Sequence, residues 1–141
     1  MPSFNIFDIA GSGMSAQTVR LNTTASNLAN ADSVSGDANA AYKARHPVFK
    51  TVQSMLNKSQ AGQQAGKSVQ VVGIAQSNAQ AAARYEPGNP MANADGYVFS
   101  SNVNVVEEMA DMISASRSYQ NNVEVMNTSK DLMLATLKLG Q

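Results

Sequence analysis

NVVEEMADMISASRSYQNNVEVMNTSKDLMLATLKL, Asn104 to Leu139, is the stretch whose spacing decides the fold. Val105, Met112, Tyr119, Met126 and Met133 recur every seven residues, and Met109, Ser116, Val123, Lys130 and Leu137 repeat that interval four positions on. Two turns of helix bring each seventh residue back to nearly the same side. The two series therefore make a seam like the a and d positions of a coiled coil, with Ser116 and Lys130 as soft spots. Val106, Ile113 and Leu134 add a second apolar edge, so the helix can contact more than one neighbour. Asn104 followed by Glu107 has the spacing of a capping box, here with Asn as the cap. At a rise of about 1.5 Å per residue the helix spans about 50 Å.

At the other end of the chain, from about Phe4 to Ala31, Phe7, Met14, Leu21 and Leu28 also recur at sevens, and Ile6, Ala10, Thr18 and Ala25 widen the stripe. Asn5 reads as the helix cap, with Asp8 in the first turn, where negative charge suits the helix dipole. Gly11 and Gly13 each weaken the helix by about 1 kcal/mol relative to Ala. Such a helix is marginal alone and needs a partner to bury its stripe.

Between the helices, from about Asp32 to Ser101, Gly and Pro punctuate the chain. Short extended runs stand at Tyr42–Val52, Val69–Gln76 and Tyr97–Ser100, and the alternation in VQVVGIAQ reads as a half-buried strand. NKSQAGQQAGKS reads as a flexible loop or hairpin tip, and EPGNP as a turn. A chain that leaves along one helix and returns along the other most simply pairs them in opposite senses. The expected fold is mainly α: long N- and C-terminal helices paired as an antiparallel coiled coil, with a small β-rich insert between them. The expected parts are residues 1–31, 32–101 and 102–141.

Only 14% of the 141 residues are charged, and net charge is zero. The usual charged share is about 25%. Asn, Gln, Ser and Ala fill the deficit. No electrostatic footprint for nucleic acid or an anionic membrane exists. Aromatics make up 6%, there is no Trp, and eight Met supply flexible apolar surface suited to interfaces as well as cores. With no Cys, disulfides and thiol chemistry are excluded. No apolar run approaches the roughly 18 residues of a membrane span. The N-terminal MPSFNIFDIAGSGMS lacks the basic and continuous apolar regions of a secretory signal, so export would take another route.

The chemistry-bearing residues have bland readings. His46 is the one histidine and sits between Arg45 and Pro47 in an extended run, as a surface residue would. GSG at Gly11–Gly13 has no preceding strand and lacks a phosphate-loop pattern. Glu107, Glu108 and Asp111 could pair for acid/base work, but at the start of a helix they complement its dipole. Asp32, Asp37 and Asp95 lack calcium-loop spacing, and no ligand set for zinc occurs. Arg117 is a candidate for an intersubunit ion pair. No catalytic, cofactor or metal residue is expected; the expected functional residues are the seam itself, Phe7, Met14, Leu21, Leu28, Met109, Met112, Tyr119, Val123, Met126, Met133 and Leu137.

SNLANADS, AYKARHPVF, YEPGNPMANADGYV and NVNVVEEMADMISASRSYQNNVEVMNTSKDLML together resemble the bacterial flagellar basal-body rod proteins, over nearly the whole chain. Asn27, Leu28, Ala29 and Asn30 stand at a motif shared by rod and hook proteins, and the block Asn102–Leu134 is the more specific match. The modest length is similar to that of proximal rod subunits. After the shared motif relatives usually read Asn-Thr-Pro-Gly-Tyr-Lys, whereas Ala31–Lys43 here is longer and lacks Pro-Gly.

The resemblance implies a structural, non-enzymatic subunit in the periplasmic rod, with no cofactor. It implies export by the flagellar type III apparatus and helical assembly into a hollow drive shaft around the export channel. The implied partners are copies of itself and other rod proteins, proximal and distal, together with rod-base and rotor-ring proteins. Nucleic acid and direct membrane insertion are not implied. Another axial rod or rod-base adaptor protein is the alternative. A tube wall also accounts for TTASNLANADS, Thr23–Ser33, a helix end that is polar but nearly uncharged. Fixed charges between several neighbouring helices cost desolvation unless paired, whereas small polar residues cost less. The terminal segments are then expected to order on assembly.

Overall fold

A computed structural model describes residues 2–53 and 67–139. The order is helix α1 (Pro2–Ala29), strands β1 (Val34–Ser35), β2 (Arg45–Gln53), β3 (Lys67–Gln76), β4 (Ala82–Tyr85) and β5 (Tyr97–Ser100), and helix α2 (Val105–Leu139). Pro2 occupies the first turn of α1, where its missing N–H has no helical partner to lose; Asn5 therefore lies inside the helix rather than capping it. The helix stops where Asn30 folds back: its backbone N–H and its Nδ2 both donate to Ser26 O, at 3.2 and 2.8 Å. At the start of α2, Asn104 Oδ1 accepts the Val106 N–H at 3.1 Å, while Glu107 is exposed.

β2 and β3 form an antiparallel hairpin with a register shift at Val48/Phe49, and its base is closed by Ser77 N–H donating to Ala44 O at 2.8 Å. The tip read from NKSQAGQQAGKS lies, apart from Lys67 and Ser68, outside the described residues. The second sheet has the order β1-β5-β4, antiparallel throughout. The EPGNP segment sits in the connection from β4 to β5. There Asn93 Oδ1 accepts the Asp95 and Tyr97 N–H groups at 3.0 and 2.9 Å, and Gly96 adopts φ +80°. A Cβ at Gly96 would stand 2.9 Å from the Tyr85 ring, so glycine is needed for both its φ and its size.

The helices run in opposite senses: Gly13 lies beside Asn122, Arg20 binds Asp111, and Asn27 binds Glu108. The hairpin packs on α1, where the Val69 N–H donates to Ser12 Oγ at 3.2 Å. Among the described elements α2 touches only α1. Among the described residues the buried apolar side chains are small: Ala10, Ala16, Ala41, Ala44, Val98 and Ala115.

The expected fold class is wrong on two counts. The molecule combines two helices with five strands in two sheets among the described residues, so it is not mainly α with a small insert. Nor do the helices meet as a coiled coil. Their contact is centred on Gly13, Arg20 and Asn27 of α1 and on Glu108, Ala115 and Asn122 of α2, each set seven apart. Small and polar residues let the backbones approach closely and satisfy one another by hydrogen bonds. The larger apolar series therefore remain at the margins. The strand content was understated because β4 is AARY, poor in β-formers, and pairs because β5 offers it an edge.

Candidate functional site

Asn27 is fully buried, and each of its hydrogen-bonding positions is used. Its Nδ2 donates to Glu108 Oε1 and to Arg45 O, both at 2.8 Å. Its Oδ1 accepts from the Arg45 N–H at 2.9 Å and from Tyr42 Oη at 3.0 Å. One side chain thus joins α1, the start of β2, the loop before it and the first turns of α2. An Asp here would lose two donors and face Glu108 with like charge; an aliphatic residue would strand four groups.

The polar, uncharged character of this helix end has the same origin. Thr23 and Thr24 are buried and return their hydroxyl protons to Val19 O and Arg20 O one turn earlier. Asn102 makes a second tie: its Oδ1 accepts the Ala44 N–H at 2.7 Å and its Nδ2 donates to Ala79 O at 2.8 Å. It links the hairpin base to the segment entering α2.

The acidic residues near this junction already have partners. Arg20 Nη2 stands 2.7 Å from Asp111 Oδ1, and Glu108, 4% exposed, is held by Asn27. With Arg45, His46, Pro47 and Phe49 they line a cleft of about 330 Å³. His46 is exposed at its rim. A carboxylate pair for acid/base work needs one free, positioned oxygen facing a substrate; here the carboxylates serve as struts between helices. Among the described residues no group of three His, Cys, Asp or Glu is placed to hold a metal ion.

Of the residues expected at the seam, Phe7, Met14, Leu21, Leu28, Met112, Val123, Met126 and Met133 are half-buried, and Met109, Tyr119 and Leu137 are exposed. Of the shared motif, Asn27 is buried, Leu28 and Asn30 are half-buried, and Ala29 is exposed. Tyr42, Arg45, Asn102 and Glu108 were missed as organisers of the junction. Glu108 was visible as part of an acidic cluster, but nothing local points to a partner 81 residues away.

The helix ends that meet at this junction fall within the matched family regions. Residues 7–36 match the family described as "Flagella basal body rod protein", and residues 94–139 match "Flagellar basal body rod FlgEFG protein C-terminal". The "Flagellar basal-body rod protein FlgC" of Salmonella typhimurium is 52% identical over 141 residues, with both chains covered in full. The Escherichia coli O6:H1 protein of that name is likewise 52% identical over full length, and the Bacillus subtilis one 33% identical over 150 residues. The chain belongs to the FlgC family of flagellar basal-body rod proteins. As a FlgC-family chain it is a structural subunit of the rod in the flagellar basal body and assembles with other rod proteins.

Proposed function

We propose that this FlgC-family subunit builds the proximal part of the rod by lateral and axial packing of α1 and α2 against neighbouring subunits, giving a hollow, torque-bearing tube around an export channel. The observation that carries this reading is the surface the single chain leaves unburied. Its accessible area is 9930 Å² at 14.9 kDa, against about 7,000 Å² for a compact monomer of that mass. Large apolar side chains line both helices without cover: Ile6, Ile9, Val106, Met109, Ile113, Val125, Leu132 and Leu137 are all exposed. A surface of this kind, with few charges, fits a subunit that completes its core only by assembly.

Export by the flagellar type III apparatus accords with a helix that carries Gly11 and Gly13 and is loose enough to be threaded unfolded. Its partners are copies of itself and neighbouring proximal, distal and rod-base proteins. The role is mechanical, without catalysis or a cofactor. The seam residues act as assembly contacts, and residues 32–101 form the outer part. The test is incorporation. Leu28→Asp leaves synthesis intact and removes the chain from purified basal bodies, with loss of swimming. Normal rod content and normal motility in that variant would reject the reading.

A further inference from the structure

Between Asp37 and Glu86 the chain carries Lys43, Arg45, Lys50, Lys58, Lys67 and Arg84 and not one Asp or Glu. A net charge of zero therefore conceals two parts of opposite sign: this stretch is cationic, and the balancing acids all lie outside it. Arg84 is paired with Glu86 beside the second sheet. Lys43, Arg45, Lys50 and Lys67 belong to the β2–β3 hairpin or to the run that leads into it, and no described carboxylate forms an ion pair with any of them. Side chains along a strand alternate between faces, and residues opposite one another share a face. On one face Pro47 and Phe49 line the cleft with Arg20 and Thr24 of α1, and Val71, opposite Phe49, is half-buried. The other face presents His46, Val48, Lys50 and Val52 along β2, all exposed. The residues opposite His46 and Val48 are the small Ala75 and Gly73, so the β2 side chains stand clear of their neighbours. Neither α2 nor the second sheet packs on the hairpin, so this face has no cover among the described elements.

We infer that the outward face of the hairpin docks an acidic strand or sheet face of a different protein, which sets apolar side chains on Val48 and Val52 and a carboxylate against Lys50. Charge complementarity gives the sign: the whole hairpin is positive, and a partner of opposite sign is steered to it and held in register. The pattern gives the kind. Apolar and polar side chains alternate at every second residue, the period of an extended partner rather than of a helix. A second copy of this chain does not match. Its hairpin repels this one, Asp32, Asp37 and Asp95 lie outside its strands, and Asp8, Glu124 and Asp131 lie on its helices. Phosphate surfaces match no better. The face has no aromatic side chain on which bases could stack. An anionic lipid surface calls for a cluster of about four to eight cations, whereas a single Lys between two Val suits a protein carboxylate. The proposal rests on the reading as a rod subunit and names the chemistry of one of its partners.

The test places the photoreactive residue p-benzoylphenylalanine at position 48 of the full-length chain in cells that build basal bodies. Far-UV circular dichroism of each purified variant is the folding control. Ultraviolet light joins position 48 to a protein other than this chain, and mass spectrometry of the adduct finds Asp or Glu within a few residues of the attachment point. Adding Lys50→Glu lowers the adduct per recovered chain about tenfold, while Lys50→Arg keeps it. Lys50→Gln replaces Lys50→Glu if the latter loses helicity, and lowers the yield less. An adduct with a second copy of this chain, with lipid, glycan or nucleic acid, or with an acid-free segment would overturn the proposal. So would a yield indifferent to Lys50→Glu, or no adduct at all. Recovery of the chain in purified basal bodies reads the rod assignment separately: a chain recovered there without an adduct removes the docking face and leaves that assignment standing.

Discussion

Replacing Asn27 by Ala removes one partner from each of four hydrogen bonds. The bond to Glu108 involves a carboxylate that is 4% exposed, and the other three join Arg45 N–H, Arg45 O and Tyr42 Oη. A bond to a charged group contributes about 1.5–3 kcal/mol and a neutral one about 0.5–1.5 kcal/mol. The full set would reach about 3–7 kcal/mol if nothing relaxed. Relaxation is available: Tyr42 Oη still lies 3.3 Å from Ser26 Oγ, and the bonds to the Arg45 backbone are only part-buried. The expected loss is therefore in the lower half, about 3–4 kcal/mol, a large share of the 5–15 kcal/mol typical of a domain. Urea unfolding followed by far-UV circular dichroism reads it. Glu108→Gln is the control, because its amide oxygen still accepts from Asn27; it costs less than about 1 kcal/mol. In the double-mutant cycle with Glu108→Ala, the coupling between the positions is about 1.5–3 kcal/mol. A loss below about 1 kcal/mol for Asn27→Ala, or coupling near zero, would refute the claim that this side chain organises the junction.

Three further substitutions have expected outcomes. Gly11 has nothing within 4 Å of an added Cβ, so Gly11→Ala raises stability by about 0.5–1 kcal/mol, whereas Gly13→Ala, whose Cβ would stand 2.8 Å from Asn122 Nδ2, gains less or loses; paired urea curves compare them. Gly96→Ala forces a side chain into a left-handed conformation against the Tyr85 ring, costs about 1–2 kcal/mol, and shifts the Tyr85 and Tyr97 ring resonances in NMR spectra. Asp111→Asn removes a salt bridge whose partners are 28% and 38% exposed, so the loss is below about 1 kcal/mol and shrinks further in high salt, as thermal melts at two ionic strengths would read.

The helices were legible because their periodicity is local: seven-residue repeats over Phe7–Leu28 and Val105–Leu137 survive any tertiary arrangement. The hairpin strands were legible in part for the same reason, through the alternation of VQVVGIAQ. β1 and β4 were not. Two residues, Val34–Ser35, and the Ala-rich Ala82–Tyr85 carry too little pattern, and they are strands only because β5 lies between them. The pairing of the two helices through these stripes did not hold because apolar periodicity reports which side of a helix avoids water, without saying whether its cover comes from the same chain. Here the intramolecular contact falls on residues that look unremarkable one at a time: Gly13, Arg20, Asn27, Glu108, Ala115 and Asn122.

By itself, the order of residues determined the long terminal helices, the turn-rich middle, the absence of thiol chemistry and the kinship with rod proteins. Each is carried by short-range spacing, by composition or by motifs read in a line. Only the tertiary structure decided the rotation of one helix against the other and the meeting of Asn27 with Glu108, 81 residues apart. It also decided that the larger apolar stripes stay at the margin. The physical reason is that close approach of two helices depends on the size and hydrogen-bonding capacity of both faces together, a property of the pair that neither segment carries alone.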